Sequence, residues 1–221
     1  MDLMQAIKER HSVRQYQNKP IEGETLTALR AAVESCNEES GLHMQLITGE
    51  AKAFDSPMAH YGKFTGVPAY LAMIGKKGGD LEERCGYYGE KLVLTAQTLG
   101  LNTCWVGGTY KKVPEAYQIG PGEKLVIVIS VGYGATRGHA RKSKTYDEVT
   151  KAGADAPQWF KDGVAAALLA PTALNQQKFT FALQGDKVVA KAGLGFFTKT
   201  DLGIVKCHFE IGAGKDGSVW A

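Results

Sequence analysis

Residues 86–108 read GYYGEKLVLTAQTLGLNTCWVGG. This pattern predicts a long helix over about 81–99, which is nearly apolar in its second half and therefore buried, and which stops at Gly100. A short apolar strand, 103–106, follows and ends in Gly107-Gly108. Glycine lets a backbone approach a ligand closely, so an N–H at this turn is a candidate ligand contact. A simple turn explains the two glycines equally well.

Apolar periodicity predicts further elements on both sides of this stretch. Helices are predicted over about 2–9, 24–35, 158–170 and 200–211, and strands over 42–48, 69–74, 124–131, 179–183 and 187–190. The strand KLVIVISV (124–131) is continuous, branched and apolar, so it is predicted to be central in a sheet. Residues 134–156 are polar and basic and are predicted to be a linker.

The composition is that of an ordinary globular chain. Of the 221 residues, 44% are hydrophobic and 22% are charged, which allows a sizeable core. The net charge of +3 is too small to indicate a nucleic-acid-binding protein, and no segment approaches the length of a membrane span. The four cysteines show no CxxC spacing and no neighbouring histidine cluster. We therefore expect reduced thiols, no metal site and a cytoplasmic protein.

Two stretches of the chain are similar to each other. Residues 28–50 and 164–186, offset by a constant 136 positions, both read as an Ala-rich helix, a polar loop, a strand and then Gly plus an acid. We interpret residues 157–221 as a truncated second copy of residues 24–100. This predicts a first unit over 1–150 and a second over 157–221, in which one copy's loop takes the place of a loop from a second subunit.

Three polar segments carry candidate chemistry. Arg10-His11-Ser12-Val13-Arg14 places two guanidiniums, an imidazole and a hydroxyl within five residues, which suits a phosphate monoester. The amide-rich segment 171–177 (PTALNQQ) could bind the edge of a heterocycle, because amides both donate and accept hydrogen bonds. Residues 141–144 (RKSK) are a basic run. Taken singly, each is explained as well or better by a solvated turn or a capped loop.

Together and in this order, these segments resemble the FMN-dependent nitroreductase family, and more narrowly its tandem, single-chain subfamily. RHSVR (10–14) is similar to the opening phosphate and flavin segment, and 86–108 resembles the subfamily's central helix and following turn. PTALNQQKF (171–179) resembles the P-S-S-x-N-x-Q loop, and DLGIVKCHFEIGAG (201–214) resembles the final helix. The similarity covers essentially the whole chain.

The resemblance implies an α/β (α+β) fold with a mainly antiparallel sheet flanked by helices, built as a single-chain pseudo-dimer. It implies FMN as cofactor, NADH or NADPH as transient electron donor, and a nitroaromatic, quinone or similar small molecule as acceptor. No protein residue is expected to be catalytic, because the flavin carries the chemistry. We expect no nucleic acid and no membrane as partners, and either a monomer or a homodimer.

The resemblance also assigns roles to residues. Arg10, Ser12 and a cation of the 141–144 run would hold the FMN phosphate, and His11 would contact the phosphate or the ribityl chain. Arg14 would lie by the pyrimidine edge, and a backbone N–H at Gly107 or Gly108 would face flavin N5. The implied cofactor-binding residues are Arg10, His11, Ser12, Arg14, Trp105, Val106, Gly107, Gly108, Lys142, Lys144, Pro171, Thr172, Ala173, Asn175 and Gln177.

The sequence predicts one flavin site in each chain. Relatives take the P-S-S-x-N loop from the partner subunit, whereas here it occurs at 171–177. The equivalent place in the first copy is SCNEESG (35–41), which has lost the pattern and carries two acids.

Some positions depart from the family pattern or stay open. Lys178 follows Gln177 where the family usually has Pro and Trp, and Lys63 stands near the place of a family Asn-Lys pair. Tyr87 and Tyr88 could line the pocket or pack in the core. A flavin-storage or sensing protein, or a flavin enzyme that dehalogenates or fragments flavin, would keep the same FMN residues. Turnover with a nicotinamide and product analysis separate these alternatives.

Overall fold

A computed structural model describes residues 1–153 and 155–221. In chain order its helices are α1 (Leu3–Glu9), α2 (Gly23–Ser40), α3 (Pro57–Tyr61), α4 (Leu81–Thr98), α5 (Tyr146–Val149), α6 (Gln158–Ala167) and α7 (Thr198–Ala213). Its strands are β1 (Gln45–Thr48), β2 (Ala69–Lys76), β3 (Asn102–Val106), β4 (Glu123–Gly132), β5 (Phe179–Gln184) and β6 (Lys187–Ala192). Helices and antiparallel strands are thus mixed along the chain, as predicted.

The chain forms two compact units. We call residues 10–81 and 91–140 the sheet unit, and residues 1–9, 82–90 and 141–221 the hairpin unit. Helix α4 contributes residues to both. The predicted assignment of 1–150 and 157–221 to two copies stays a prediction.

The sheet unit is built on four antiparallel strands in the order β1-β2-β4-β3. β4 lies in the interior of the sheet, as its apolar sequence predicted. Because side chains alternate along a strand, each face carries its own core. Ala69 and Val131 pack with Leu29 of α2 and Ala96 of α4, whereas the opposite face packs against the residues between β1 and β2 and those after β3.

The hairpin unit is built on the antiparallel pair β5–β6 and the helices α6 and α7. Phe209 of α7 lies at the centre of an aromatic cluster, with ring centroids 5.8 Å from Phe160, 5.0 Å from Phe181 and 5.2 Å from Trp220. Aromatic side chains bury large areas, so this cluster supplies much of the unit's core.

Helix α2 extends five residues beyond its predicted end at Ser35. Residues 36–40 are polar and were predicted to be a loop, but they continue the helix to a left-handed cap at Gly41, whose φ is 66°. The Asn37 side chain binds both backbone groups of Met44 at 2.8 and 2.9 Å, which turns the chain into β1. The strand predicted from residue 42 therefore begins only at Gln45.

Helix α6 ends at Ala167, three residues before its predicted end. Arg141 explains the early end, because its guanidinium binds the carbonyl oxygens of Leu168, at 2.9 Å, and Ala170. Pro171 then has no N–H to continue the helix. The predicted linker 134–156 is also more structured than expected, since it contains α5, which begins with a capping box between Thr145 and Glu148.

The internal duplication is not established. The first proposed copy has the order helix, strand, short helix, strand, helix, and the second has the order helix, strand, strand, helix; in each copy the two strands are antiparallel. However, four residues separate α2 from β1, whereas eleven separate α6 from β5. The equal loop length that the sequence comparison predicted is therefore wrong, and residues 35–41 belong mostly to a helix.

Candidate functional site

The segment Arg10–Arg14 runs beside strand β3 in the sheet unit. Ser12 forms a parallel bridge with Thr103, and the Val13 N–H donates to the Thr103 carbonyl at 3.0 Å. This pairing brings the cation-rich segment next to the strand that leads into Gly107-Gly108. Two predicted parts of the site therefore lie side by side.

Arg10 is removed from water almost completely, with 7% of its surface exposed. In the part of the chain that the structure describes, no carboxylate forms an ion pair with it. A buried charge normally has a counter-ion, so this guanidinium is suited to an external anion.

The surroundings of His11 are positively charged. Its pKa is lowered first by burial and then by the neighbouring Arg10 and His139. Gly138 lets the segment that carries His139 pass close to His11. The φ of Gly138 is 73°, and a Cβ at this position would lie 2.6 Å from the His11 Cβ. No local sequence pattern predicts that residues 137–139 lie at the site, because they reach His11 only through the fold.

Arg14 is the last residue of the segment Arg10–Arg14 and lies near Phe64. Its guanidinium carbon is 5.9 Å from the centroid of the Phe64 ring. The Thr65 N–H donates to the Arg14 carbonyl at 3.0 Å, and the Tyr16 N–H donates to the Thr65 carbonyl at the same distance. Lys63, in a left-handed conformation with a φ of 63°, precedes this pairing. The Arg14 and Lys63 segments are thus neighbours.

A buried hydrogen-bond network around Tyr16 holds the segment Arg10–Arg14 in place. The Tyr16 hydroxyl donates to the Val13 carbonyl at 2.7 Å and lies 2.8 Å from the Ser130 hydroxyl. Burial raises the pKa of Tyr16 and also that of Cys104, whose thiol is hydrogen-bonded to the Ser12 side chain. Both groups stay neutral near pH 7, so they position the segment and do not act as nucleophiles.

The turn after β3 is open. Trp105 pairs with Ile129 and is half-buried, and Val106 is buried. Gly107 and Gly108 are exposed, and a Cβ at Gly108 would meet nothing within 4 Å. Packing therefore does not require glycine at 108, which is consistent with a ligand's close approach.

In the hairpin unit, residues 141–144 are bonded to the loop 171–177. Arg141 donates to the Asn175 side chain at 2.9 Å, and the Lys144 ammonium donates to the Gln177 carbonyl at 2.8 Å. Asn175 and Gln177 both donate their amide N–H groups to the Lys142 carbonyl, at 2.9 and 3.0 Å. The two predicted segments are brought together, but these amides bind the chain itself.

The loop 171–177 has a strained backbone. Leu174, Asn175 and Gln177 have φ values of 52°, 52° and 47°, a region that costs non-glycine residues free energy. Asp201 of α7 holds the loop: it accepts from the Ala173 N–H at 2.9 Å and from the Gln176 amide at 2.8 Å. Such strain is characteristic of binding loops. The sequence did not predict the role of Asp201.

Burial raises the pKa of the Asp201 carboxyl to about 6, and the two hydrogen bonds oppose this rise. The residue is 3% exposed. The loop is therefore held by a carboxyl that titrates near neutral pH.

Tyr87 and Tyr88 stack edge to face, with centroids 5.1 Å apart. The Tyr87 hydroxyl donates to Glu210 at 2.6 Å, and the Trp220 indole donates to the same carboxylate, also at 2.6 Å. Tyr87 thus has a structural role within the hairpin unit.

The hairpin unit also has an open cavity of about 700 Å³. It lies between residues 147–153 and 155–157 on one side and the β5–β6 hairpin on the other, with Phe181 and Val189 among its apolar lining residues. The residues that line it do not include any of the sequence-predicted cofactor residues. We therefore do not assign the cofactor to this cavity.

Across residues 1–153 and 155–221, none of the helices is both long and apolar enough to cross a membrane. The same residues contain no group of three or more His, Cys, Asp or Glu side chains suited to a metal ion.

Several solved structures share the fold of this chain. A "putative nitroreductase" from Thermotoga maritima MSB8 superposes with a TM-score of 0.67 at 21% identity, over 96% of this chain and 83% of that one. A "putative NADH dehydrogenase/NAD(P)H nitroreductase" from Parabacteroides distasonis has a TM-score of 0.54 at 20% identity, over 68% and 98% of the two chains. A nitroreductase family protein from Streptococcus pneumoniae has a TM-score of 0.53 at 14% identity, over 67% and 98%.

These identities establish the fold alone. The chain matches none of the curated proteins. The sequence itself, however, matches the family described as "Putative TM nitroreductase" over residues 2–213, nearly its full length. On that match the chain belongs to the nitroreductase family.

Proposed function

We propose that this protein binds FMN and catalyses the NAD(P)H-dependent reduction of a small-molecule acceptor. The observation that carries the proposal is the buried residue Arg10, which stands beside His11 and Ser12 in the chain. None of the carboxylates among the described residues pairs with its guanidinium. Family membership supports an oxidoreductase. The cytoplasmic location and the monomeric or dimeric state expected from the sequence are parts of the same proposal.

The donor groups of the sheet unit fit FMN chemically. A phosphate monoester carries up to two negative charges; Arg10 supplies a permanent positive charge beside it, and the neighbouring His11 imidazole can donate a hydrogen bond. Exposed Gly107 and Gly108 offer backbone N–H donors without a side chain in the way. Arg14, permanently charged, is assigned to the pyrimidine edge, where a cation favours the uptake of electrons. When bound, FMN would supply the hydride and electron chemistry of a two-step, ping-pong reaction.

In the hairpin unit, we propose from the resemblance to the P-S-S-x-N-x-Q loop that the strained loop 171–177 binds FMN. Asn175 and Gln177 bond to the Lys142 carbonyl, so we assign them to shaping the loop and leave contact with the flavin to the loop backbone. Lys142 is exposed, and the Lys144 ammonium is engaged by Gln177. Of the two cations, Lys142 is therefore the better candidate for the phosphate.

The proposal is tested by the visible absorption spectrum of the purified protein saturated with FMN. The protein is then mixed anaerobically with NADPH and, separately, with NADH. We expect a bound-flavin spectrum that bleaches with at least one donor. Bound flavin that stays oxidised with both would favour a carrier, a sensor or another flavin chemistry. Protein that binds no flavin would refute the proposal.

A further inference from the structure

Two fully buried ionisable side chains face each other in the hairpin unit. Glu90 of α4 and His208 of α7 are both 0% exposed, and the His208 Nε2 lies 2.8 Å from the Glu90 Oε1. Both residues belong to the hairpin unit. A buried charge needs a counter-charge, so the number of protons that this pair holds decides whether it is stable.

The hydrogen bonds of His208 fix that number. Its other ring nitrogen, Nδ1, lies 3.1 Å from the carbonyl oxygen of Ala166 in α6. A carbonyl oxygen only accepts, so Nδ1 carries a hydrogen. Nε2 faces a carboxylate, and a second proton must therefore lie between Nε2 and Glu90. Because imidazole is a stronger base than a carboxylate, this proton belongs on Nε2.

The arrangement without this proton is unfavourable in the interior. The Nε2 lone pair would face the Glu90 carboxylate, and a buried negative charge would have lost its counter-charge. Helices α6 and α7 also pack closely here, since a Cβ at Gly212 would lie 2.8 Å from the Asp162 carbonyl oxygen. Such close packing leaves little room for water that could hydrate the carboxylate.

Other charged and titratable groups on these helices have partners of their own. The Tyr87 hydroxyl of α4 donates to Glu210 of α7 at 2.6 Å, and the Lys206 ammonium of α7 donates to Glu83 of α4 at 2.5 Å. Burial, together with the bond to Glu210, raises the pKa of Tyr87, so its phenol stays protonated near neutral pH.

The thiols next to the pair in α4 and α7 are those of Cys85 and Cys207, and both are buried. On α6, the Asp162 side chain is exposed and accepts from Gln158 at 2.8 Å. Helix α1 also packs against α7, and its charged residues Lys8 and Glu9 are exposed.

We infer that Glu90 and His208 form a pH-sensitive latch, which holds residues 82–90 of α4 to α6 and α7 as long as the pair keeps its shared proton. The latch does not depend on the proposed function, because neither residue is assigned to the FMN site. Since the buried pair is unfavourable without its proton, these helices separate locally when the proton leaves.

The latch gives the fold a defined response to pH. In an unfolded chain, histidine loses its proton near about pH 6.5. Above that pH, the folded hairpin unit therefore binds one proton more than the unfolded chain. A state that binds more protons is disfavoured as the pH rises, so the stability contributed by the latch is lost towards alkaline pH.

Glu90→Gln tests the latch and keeps the shape of the pair. A glutamine amide can donate to the Nε2 of a neutral His208, so this variant needs no second proton. We expect the folded-to-unfolded ratio of the wild type, relative to that of Glu90→Gln, to fall about tenfold per pH unit, or about 30-fold between about pH 7.0 and 8.5. Urea unfolding of the purified full chain measures both ratios. The contributions of Tyr87 and Cys207 are common to both proteins and cancel.

Glu123→Gln is the matched control. It removes the carboxylate of a second His–Glu pair, in which the Glu123 Oε2 lies 2.9 Å from the His43 Nδ1, but both side chains of that pair are partly exposed to solvent. Water can replace the lost partner there. The stability of Glu123→Gln should therefore follow the pH dependence of the wild type far more closely than that of Glu90→Gln does.

Nuclear magnetic resonance gives a second measurement, which decides the matter even if Glu90→Gln fails to fold. Long-range proton–nitrogen spectra separate protonated from unprotonated ring nitrogens in each of the five histidines. At alkaline pH, wild-type His208 should carry a hydrogen on both Nδ1 and Nε2, whereas Glu90→Gln should carry one on Nδ1 alone. If the wild-type Nε2 is unprotonated in the folded protein, or if wild type and Glu90→Gln lose stability in parallel as the pH rises, the inference is wrong.

Discussion

At the residue scale, Arg10 has the most specific chemical requirement. Only 7% of the surface of Arg10 is exposed, and the described residues offer its guanidinium no carboxylate. Charge-assisted hydrogen bonds to such a group contribute about 1.5–3 kcal/mol each.

We therefore expect Arg10→Ala to weaken FMN binding roughly 10- to 100-fold, and Arg10→Lys to weaken it less, because lysine keeps the charge but loses the planar fork. Flavin fluorescence titration measures both. Arg30→Ala removes an exposed arginine from α2 and is the control. If Arg10→Ala binds FMN as tightly as the wild type does, Arg10 is not part of the FMN site.

Asp201 makes the loop sensitive to pH. Its pKa in the folded protein is about 6, above its unfolded value of 3.8, so its contribution to stability is complete below about pH 4 and is lost as the pH rises through 6. In the Asp201→Asn variant, the side chain at position 201 is uncharged at every pH in this range. The free energy of unfolding of this variant, relative to wild type, should therefore increase between pH 4 and pH 7, by at most about 3 kcal/mol.

Urea unfolding across that pH range measures the difference. Asp186→Asn, on the exposed turn of the β5–β6 hairpin, controls for the loss of one carboxyl from the same unit. A difference between Asp201→Asn and wild type that does not vary with pH would contradict the role assigned to this carboxyl.

Local sequence revealed only some of these residues. RHSVR and PTALNQQ are contiguous, so their chemistry is visible in the sequence. Asp201 and Arg141 bind groups 25 to 34 positions away, and Gly138 contacts His11, 127 positions away. No local pattern encodes such contacts.

At the scale of elements, Arg141 links the end of α6 to the loop that follows it. Its guanidinium binds two carbonyl oxygens after the helix and the Asn175 side chain. Without it, these oxygens lose a charged donor and the strained loop loses a restraint.

We expect Arg141→Ala to increase amide hydrogen exchange in residues 171–177 at least several-fold, with little change in the sheet unit. Lys142→Ala is the control, because it removes the next cation of the same run but keeps the Lys142 carbonyl that Asn175 and Gln177 bind. Equal protection of the loop in both variants would show that Arg141 does not restrain it.

Two glycines allow the backbones of α4 and α7 to come into direct contact. A Cβ at Gly203 would lie 1.9 Å from the Glu83 carbonyl oxygen, and one at Gly86 would lie 2.0 Å from that of Thr200. Backbone atoms cannot move aside as the end of a side chain can.

Gly203→Ala should therefore lower the free energy of unfolding by about 3 kcal/mol, at the upper end of the range for overpacking. Gly79→Ala, where a Cβ would meet nothing within 4 Å, should cost nothing. Chemical denaturation compares the two. If both variants are as stable as wild type, the helices are not packed at this distance.

The order of the longer elements was predictable because apolar periodicity is local, whereas the short helices α3 and α5 were not predicted. The central position of β4 followed from its continuous apolar run, and the structure confirms it. The ends of α2 and α6 were predicted wrongly, because a left-handed glycine, an asparagine cap and a distant arginine determine them. Each of these depends on backbone geometry that periodicity does not contain.

At the scale of the whole molecule, the sequence predicts one flavin per chain. In the proposed first copy, residues 35–41 correspond to the loop 171–177, and they are mostly helical. The Asn37 side chain there is hydrogen-bonded to the backbone of Met44. This segment therefore offers no second strained loop.

We expect an absorbance titration to end at one FMN per chain. Asn175→Ala should weaken FMN binding, because the loop loses its bonds to Arg141 and Lys142, while the fold is kept. Asn37→Ala should lower thermal stability and leave FMN affinity unchanged. The reverse result, or two flavins per chain, would contradict the single-site arrangement.

The division into compact units was not predictable from sequence. The prediction assumed that each unit is a continuous segment, whereas residues 1–9 and 82–90 belong with residues 141–221. Which segments group together is decided by tertiary packing.

That grouping has a consequence for the newborn chain. Helix α1 buries Ala6 and Ile7 in the finished protein, yet it shares its unit with residues 141–221. At ~5–20 residues per second, translating the 131 residues from 10 to 140 takes roughly 7 to 26 s. For that time Ala6 and Ile7 lack most of the residues of their own unit, α7 among them, against which they pack in the finished protein.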